Sequence, residues 1–431
     1  MAMNPKKVVR KVLPSAGTKV AEETYRKSRI HAMQMRYGYP ARDLQIIGVT
    51  GTNGKTTTCM MINSMLKNAG YKTALFTTAV VEVDGKQEVN TRHTTVPITS
   101  ELLSFFKKAK DSSADYVVLE VTSHALHQHK VMNVPIEVAV FTNLSQDHLD
   151  YHGSMEEYTA MKARLFNRYL NPTYCVLNRD DPKYGYFEKQ SVGLPQTYGE
   201  KNGSDVRISD VKASKKGTEF QLSLDGEKAT VQLPMIGMFN VSNAAAAAAT
   251  GSVLGLKLST IATGLSKMDQ VPGRMQPVEA GQSFGVFVDY AVTPDALEKA
   301  LVSLQVSTKG RVLAVFGATG DRDKDKRPKM GEAVAKHADK IYLTDDETYT
   351  EAPAAIRKMV MKGIKKGKGI SKTKEISDRE KAIAAALKAA KKDDIVYVTG
   401  IGHQDSRNMG GKLEPWNEVE TIKKLLKNHK K

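Results

Sequence analysis

The sequence predicts an α/β protein in which a central P-loop parallel-sheet domain is followed by a Rossmann-like α/β domain. Three observations carry that expectation. Short apolar runs alternate with helical stretches along residues 44–270 and again along 271–431; Gly51-Thr52-Asn53-Gly54-Lys55-Thr56 sits at one strand-to-helix junction; and Val271-Pro272-Gly273 supplies turn chemistry between the two series. The expected division is a short basic helical segment at 1–43, a central domain at 44–270 and a C-terminal domain at 271–431. A chain of 431 residues is too long for one ordinary core, since single cores stop growing beyond ~250–300 residues.

Residues 21–34 carry a helical pattern, and Tyr37-Gly38-Tyr39-Pro40 punctuates its end. From residue 44 the pattern changes. Runs 45–49, 73–77, 116–121 and 138–142 are short and apolar, as buried strands are, and a helical stretch at 59–68 follows the first. Residues 205–233 alternate polar and apolar side chains (Phe220, Leu222, Leu224, Val231, Leu233) about Asp225-Gly226, the signature of an antiparallel hairpin. The alanine run 244–249 opens a helix. Beyond 271–273, strands are expected at 285–288, 312–316, 340–344 and 395–399, and the Lys/Gly segment 362–369 as an exposed loop.

A hydrophobic content of 41% and a charged content of 26% describe an ordinary globular chain. Two cysteines, Cys59 and Cys175, make no disulfide framework and have no zinc-type spacing, which fits a reducing cytoplasm. No apolar stretch approaches the ~20 residues that span a bilayer, and the N-terminus lacks the apolar core of a signal peptide. The net charge of +17 comes from scattered lysines, as in 358–374 and 424–431, with no basic-aromatic module or helix-turn-helix pattern. No nucleic-acid partner is expected. Small anionic substrates suit such a surface.

The run from residue 46 through Gly51-Thr52-Asn53-Gly54-Lys55-Thr56-Thr57 into a helix has the build of a phosphate site. Glycines let backbone N–H groups converge on phosphate oxygens, Lys55 bridges the outer phosphates, and Thr56 is placed to ligate magnesium. The spacing departs from the plain Walker form, because Gly48 lies one residue too far upstream of Gly54-Lys55. Two later strands end in further polar groups. Glu120 closes one and is followed by Thr122-Ser123-His124, and Asp147-His148 follows another. Ligands bind at the carboxyl ends of parallel strands, so both residues belong to that edge. Singly, each is as well explained by a surface acid or a capping histidine; jointly they suggest a magnesium site.

At this point the sequence resembles the Mur ligase family, and most of all its MurE type. The matching runs are 50–56, 120–126, 143–153, 237–243, 273–275, 289–291 and 317–324, in the family's order and spacing. The resemblance implies an ATP-dependent ligase that activates a peptide carboxylate as an acyl phosphate and joins it to an amino acid in cell-wall precursor synthesis. It implies catalytic roles for Lys55, Glu120, His148 and Lys162, with magnesium held by Thr56, Glu120, His148 and a carbamylated Lys162. It places ATP against Gly51, Thr52, Asn53, Gly54, Lys55, Thr56, Thr57, Asn240, Asn243, Arg274 and Asp289. The substrate positions implied are Thr94, Thr95, Ser123, Asp346, Tyr349 and Gln404.

The departures concern substrates. The MurE type carries a sizeable N-terminal domain that grips the uridine nucleotide, whereas residues 1–44 alone precede the first core strand here, so this chain is expected to lack that domain. Its basic residues (Lys6, Lys7, Arg10, Lys11, Lys19, Arg26, Lys27, Arg29) would suit a lipid-linked substrate and peripheral membrane contact, while a solvated packing helix is the simpler account. Val96 intrudes between Thr94-Thr95 and Pro97, and Val292 stands where the family has histidine. Asp346-Glu347-Thr348-Tyr349 replaces the diaminopimelate enzymes' Asp-Asn-Pro-Arg, and Gln404 replaces a glutamate, so an acceptor other than diaminopimelate is expected. A folylpolyglutamate- or cyanophycin-type ligase and a nucleic-acid-binding P-loop NTPase are the alternatives. The latter gives His148, Lys162, Arg274 and Asp289 no shared purpose.

Overall fold

The protein is described by a computed structural model covering residues 15–90, 95–97, 99–214 and 217–429. Its first sheet contains β1 (Gln45–Thr50), β2 (Thr73–Phe76), β3 (Val80–Val83), β4 (Lys86–Val89), β5 (Tyr116–Glu120) and β6 (Ile136–Phe141). It continues with β7 (Tyr174–Asn178), β8 (Leu194–Gly199), β9 (Val206–Ser214), β10 (Gly217–Leu224) and β11 (Glu227–Leu233). The order is β11-β10-β9-β8-β7-β6-β1-β5-β2-β3-β4. From β2 to β9 the neighbours pair in parallel; both flanks are antiparallel.

Strand β1 shows why its sequence is apolar throughout. Ile47 and Val49 enter one core cluster and Ile46 the cluster on the opposite face, all fully buried. A parallel sheet covered on both sides needs such strands. The helices Lys55–Asn68 and Met238–Val253 cover the first face, the latter by a nearly continuous alanine surface that lets it lie close.

The second sheet comprises β12 (Gln276–Pro277), β13 (Gly285–Asp289), β14 (Val312–Phe316), β15 (Lys340–Leu343), β16 (Thr373–Glu375) and β17 (Ile395–Thr399), in the order β12-β13-β17-β14-β15-β16. It is parallel except for β12, and two further core clusters cover its faces. A separate hairpin pairs β18 (Ser406–Met409) with β19 (Lys412–Pro415). Among the described residues no helix is long and apolar enough to cross a membrane.

Three expectations change. The hairpin at 205–233 is the three-strand meander β9-β10-β11, joined to the main sheet through β8; Asp225 and Gly226 do turn, both at positive φ. The helix expected at 59–68 begins at Lys55, directly on the glycine turn. The loop expected at 362–369 is mostly helix, Pro353–Lys366. Its buried stripe of Ile356, Val360 and Ile364 faces the core, and Gly363 lets it cross the helix Lys326–His337, where a Cβ would stand 1.7 Å from the Pro328 carbonyl oxygen. The lysines that suggested a loop lie on the outer face.

Candidate active site

Strand β1 lies between β5 and β6, where successive crossovers leave in opposite directions, so the loop after it opens into a crevice at the carboxyl edge. Gly54 caps the following helix at φ +83°, a left-handed conformation natural to glycine, and a Cβ there would lie 2.2 Å from Asn243 Oδ1. Asn143 shapes the loop from β6: its carbonyl accepts from Thr52 N–H at 2.8 Å and its Oδ1 from Asn53 N–H at 3.1 Å. Lys55 Nζ donates back to the Thr52 carbonyl at 2.8 Å, and burial holds its pKa below the ordinary lysine range. Thr56 Oγ1 donates to Glu120 Oε2 at 2.8 Å, and Thr78 N–H donates to the same oxygen at 2.8 Å.

The second sheet brings its own groups to this edge. Arg274 lies over the Tyr290 ring at 4.5 Å and donates through Nη2 to Thr56 Oγ1 at 3.3 Å, making a relay from one lobe through Thr56 to Glu120 in the other. Asp289 ends β13 and accepts from Tyr397 OH and Tyr290 N–H, each at 2.8 Å. Burial raises its pKa against the opposing pull of Tyr397 and Arg274. Asn243 Nδ2 donates to Asn240 Oδ1 at 3.3 Å, and Asn240 Nδ2 to the Ile236 carbonyl at 2.8 Å. These groups line one cleft of about 300 Å³, which Thr57, Thr95, His148, Tyr349 and Gln404 also line.

His148 stands at φ 54°, its Nε2 3.4 Å from Asp147 Oδ2. Burial holds its pKa well below the usual histidine value despite Asp147, so the imidazole is neutral at pH 7. Asp147 is pushed up by burial but more strongly down by Lys326 and His148, to about 2.

Four expected site residues sit elsewhere. Lys162 is buried at 2% exposure; its Nζ donates to the Gly51 carbonyl at 2.6 Å and lies 4.6 Å from the Tyr158 ring centre, behind the loop. Burial, reinforced by Lys55, holds its pKa well below the ordinary range. Gly51 likewise packs behind the cleft, where a Cβ would meet Thr142 Oγ1 at 1.9 Å. Ser123, placed with the substrate from sequence, is buried under His152, whose Nε2 is 2.9 Å from its Oγ. Asp346, also placed there, is 2% exposed and turned beneath Gly400, because its Oδ1 accepts the Glu347 N–H. Burial lifts its pKa to about 6. Thr94 lies outside the described residues.

The cleft also contains groups that sequence reasoning did not single out. Arg322 stacks 4.8 Å over Tyr349, Glu347 accepts Asn408 N–H at 3.0 Å, and Asp295 accepts from Asn53 Nδ2 at 3.0 Å. His403 Nε2 lies 3.0 Å from the Thr78 carbonyl, and Lys326 donates to Asp147 across the cleft. Arg322 lies within the matched run 317–324 and Lys326 two residues beyond it, and Glu347 and His403 lie in the runs 346–349 and 400–404 beside the substrate positions named from sequence, which were the available signals; Thr78 and Asp295 had none. Among the described residues no three His, Cys, Asp or Glu side chains form a ready metal cluster.

Known proteins place the chain in a family. Residues 49–251 match the Mur ligase middle domain and residues 273–402 the Mur ligase glutamate ligase domain. A UDP-N-acetylmuramoyl-L-alanyl-D-glutamate–2,6-diaminopimelate ligase of Bacillus licheniformis is 39% identical over 396 residues, covering 90% of this chain and 80% of that protein. A solved structure of an enzyme with that same name superposes with a TM-score of 0.61 at 32% identity, over 90% of this chain and 79% of that one. A folylpolyglutamate synthase of Mycobacterium tuberculosis, solved with ADP and AMPPCP, shares the fold at 19% identity and a TM-score of 0.69, over 86% and 92% of the two chains. The chain is an ATP-dependent ligase belonging to the Mur ligase family, and within it to the MurE type.

Proposed function

We propose that this ligase joins an amino acid to the peptide carboxylate of a muramoyl wall precursor in the cytoplasm. The observation that carries the proposal is the relay Arg274–Thr56–Glu120: it ties the second lobe to the phosphate loop, so that the cleft is complete only with the lobes together. A carboxylate is a poor electrophile, and ATP supplies the missing leaving group. The carboxylate oxygen attacks the γ-phosphorus, ADP departs, and the amine then attacks the acyl carbon and expels phosphate. Lys55, Arg274 and the loop N–H groups oppose the charge that accumulates in the first step. Closure keeps water from the acyl phosphate.

Supporting assignments follow the cleft. Gly54 presses against Asn243, so the loop backbone is held open for phosphates, and Asn240, Asn243 and Asp289 suit the nucleoside end. Thr56 and Glu120 are hard oxygen donors 2.8 Å apart, fitting Mg²⁺, with His148 on the same wall. When bound, that ion would neutralise phosphate charge. A buried, neutral amine is the form of Lys162 that carbon dioxide can carbamylate, which is the basis for proposing that modification. The domain limits 1–43, 44–270 and 271–431 belong to this proposal, supported by one sheet ending at Leu233 and the next starting at Gln276.

Thr95, Tyr349 and Gln404 line the substrate end. Relatives are named for diaminopimelate; here no arginine stands in the 346–349 loop, and Glu347 faces the cleft, so we propose a different acceptor. The donor's handle, uridine nucleotide or lipid, depends partly on residues 1–14, which lie outside the described ones. The test is phosphate release from ATP with a panel of amino acids and with soluble or lipid-linked muropeptides. Turnover requiring one donor and one acceptor supports the proposal; turnover stimulated by nucleic acid and by no acceptor defeats it.

A further inference from the structure

We infer that Lys326 is a positioning residue for the ligase reaction: it fixes the segment carrying His148 when the second lobe closes. Its kinetic arm rests on the proposed function; its structural arm does not.

Lys326 is the first residue of the helix Lys326–His337 in the second lobe, yet its Nζ crosses the cleft to donate to Asp147 Oδ1 of the first lobe at 3.2 Å. Both side chains are nearly covered, at 7% and 10% exposure. A cation in the first turn opposes the helix dipole, so local energetics argue against lysine there. The partner across the cleft supplies the reason for it. Arg327 beside it is fully buried, paired with Glu351 and donating to the Thr319 carbonyl, which anchors the start of the helix and the direction in which Lys326 leaves it.

Asp147 in turn holds His148 twice. Its Oδ1 accepts the His148 N–H at 2.9 Å, and its Oδ2 lies 3.4 Å from His148 Nε2. His148 has φ 54°, a left-handed conformation that residues with side chains adopt at a cost, so it needs outside restraint. With the lobes apart, Asp147 lacks its lysine, and a covered carboxylate without a cation turns toward water. Closure therefore sets residue 148 through Lys326 and Asp147. The nearby contact from Lys329 Nζ to Gln146 Oε1, at 2.5 Å, is exposed and holds no cleft residue.

The test compares K326M, K326R and K329M in the full chain. We expect K326M to lose about 100-fold in kcat, the size of effect that a small misplacement of reacting groups produces. Its Kd for the ATP analogue AMPPCP should rise by no more than about tenfold, well short of the kcat loss, because the phosphate-loop contacts of the first lobe persist while those of Arg274 and Asp289 loosen. K326R should recover most of the loss and K329M should resemble wild type. Spin labels at exposed Glu227 and Lys365, one on each lobe, should report one short distance for wild type with AMPPCP and a longer, broader one for K326M. Wild-type kcat in K326M, a wild-type distance in K326M, or loss of AMPPCP binding alongside kcat would each overturn the inference. A wild-type protein without amino-acid-dependent turnover would defeat the proposed function instead, and the distances would still decide the role of Lys326.

Discussion

Replacing Lys162 with alanine probes the least ordinary group in the protein. The side chain is 2% exposed, gives one hydrogen bond to Gly51 and lies against Tyr158. Truncating a long buried chain costs about 2–5 kcal/mol through the cavity it leaves. Removing an amine that burial disfavours as a cation returns part of that, so stability should fall by only about 1–3 kcal/mol. Activity should fall much further, by about 100-fold, the upper range for losing a group that orients a metal site. The distinction is chemical. At pH 7.5 an ordinary lysine is only ~0.1% neutral, and every unit of pKa lowering raises that tenfold. Burial thus supplies the amine that carbon dioxide needs. Acetate or formate in the vacated space should restore part of the turnover of Lys162→Ala, followed by phosphate release, and wild type in ¹³C-bicarbonate should show a carbamate resonance. Full activity in the variant, or lost activity that no small carboxylate restores together with no carbamate signal, refutes the reasoning.

Other perturbations test neighbouring parts. Gly54→Ala places a Cβ 2.2 Å from Asn243 Oδ1 at φ +83°; a left-handed alanine alone costs about 1–2 kcal/mol, and calorimetric titration should show AMPPCP binding weakened at least about tenfold. Asp346→Asn should stabilise the fold at pH 8. The folded pKa, raised by burial from 3.8 to about 6, makes ionisation cost up to about 3 kcal/mol. The unfolded chain loses its proton first, so the penalty is absent below pH 3.8, grows as pH rises to 6 and is complete above; denaturant melts of variant and wild type should converge at pH 3.5, and an Asn variant less stable at pH 8 contradicts this. Arg379→Met leaves the Glu418 carboxylate without its cation in a site where both side chains are fully buried, and should cost about 3–5 kcal/mol in the same melts.

What the sequence made legible follows from what side chains report locally. The strands 45–49, 116–121, 312–316 and 395–399 were readable because a sheet covered on both faces requires apolar runs. Edge strands β4 and β16 were not, since short edge strands such as Lys86–Val89 are exposed and polar; β3 was missed because its four residues are too few to show a period. Helix Pro353–Lys366 was misread at its end because its outer lysines and Gly363 imitate a loop, while the crossing that needs Gly363 lies far away in sequence. In the site, the loop, Glu120, His148, Asn240, Asn243, Arg274 and Asp289 meet at one cleft as their motifs implied. Asp346 and Ser123 do not, because a motif gives the position of a residue but not which way its side chain turns. The roles of Lys326, Asp295 and His403 were missed for the complementary reason: each acts across the two lobes, and even where a motif lies at or beside the residue, as for Lys326 and His403, it does not record a partner more than 170 residues away.

The most direct measurement is the stoichiometry of a single reaction mixture containing ATP, Mg²⁺, a muropeptide donor and an amino acid. The cleft described here predicts that ADP, phosphate and new amide form in equal amounts, and that omitting either donor or amino acid stops amide formation. ATP turnover that proceeds at an undiminished rate without both substrates, or amide formed without ADP, would contradict it.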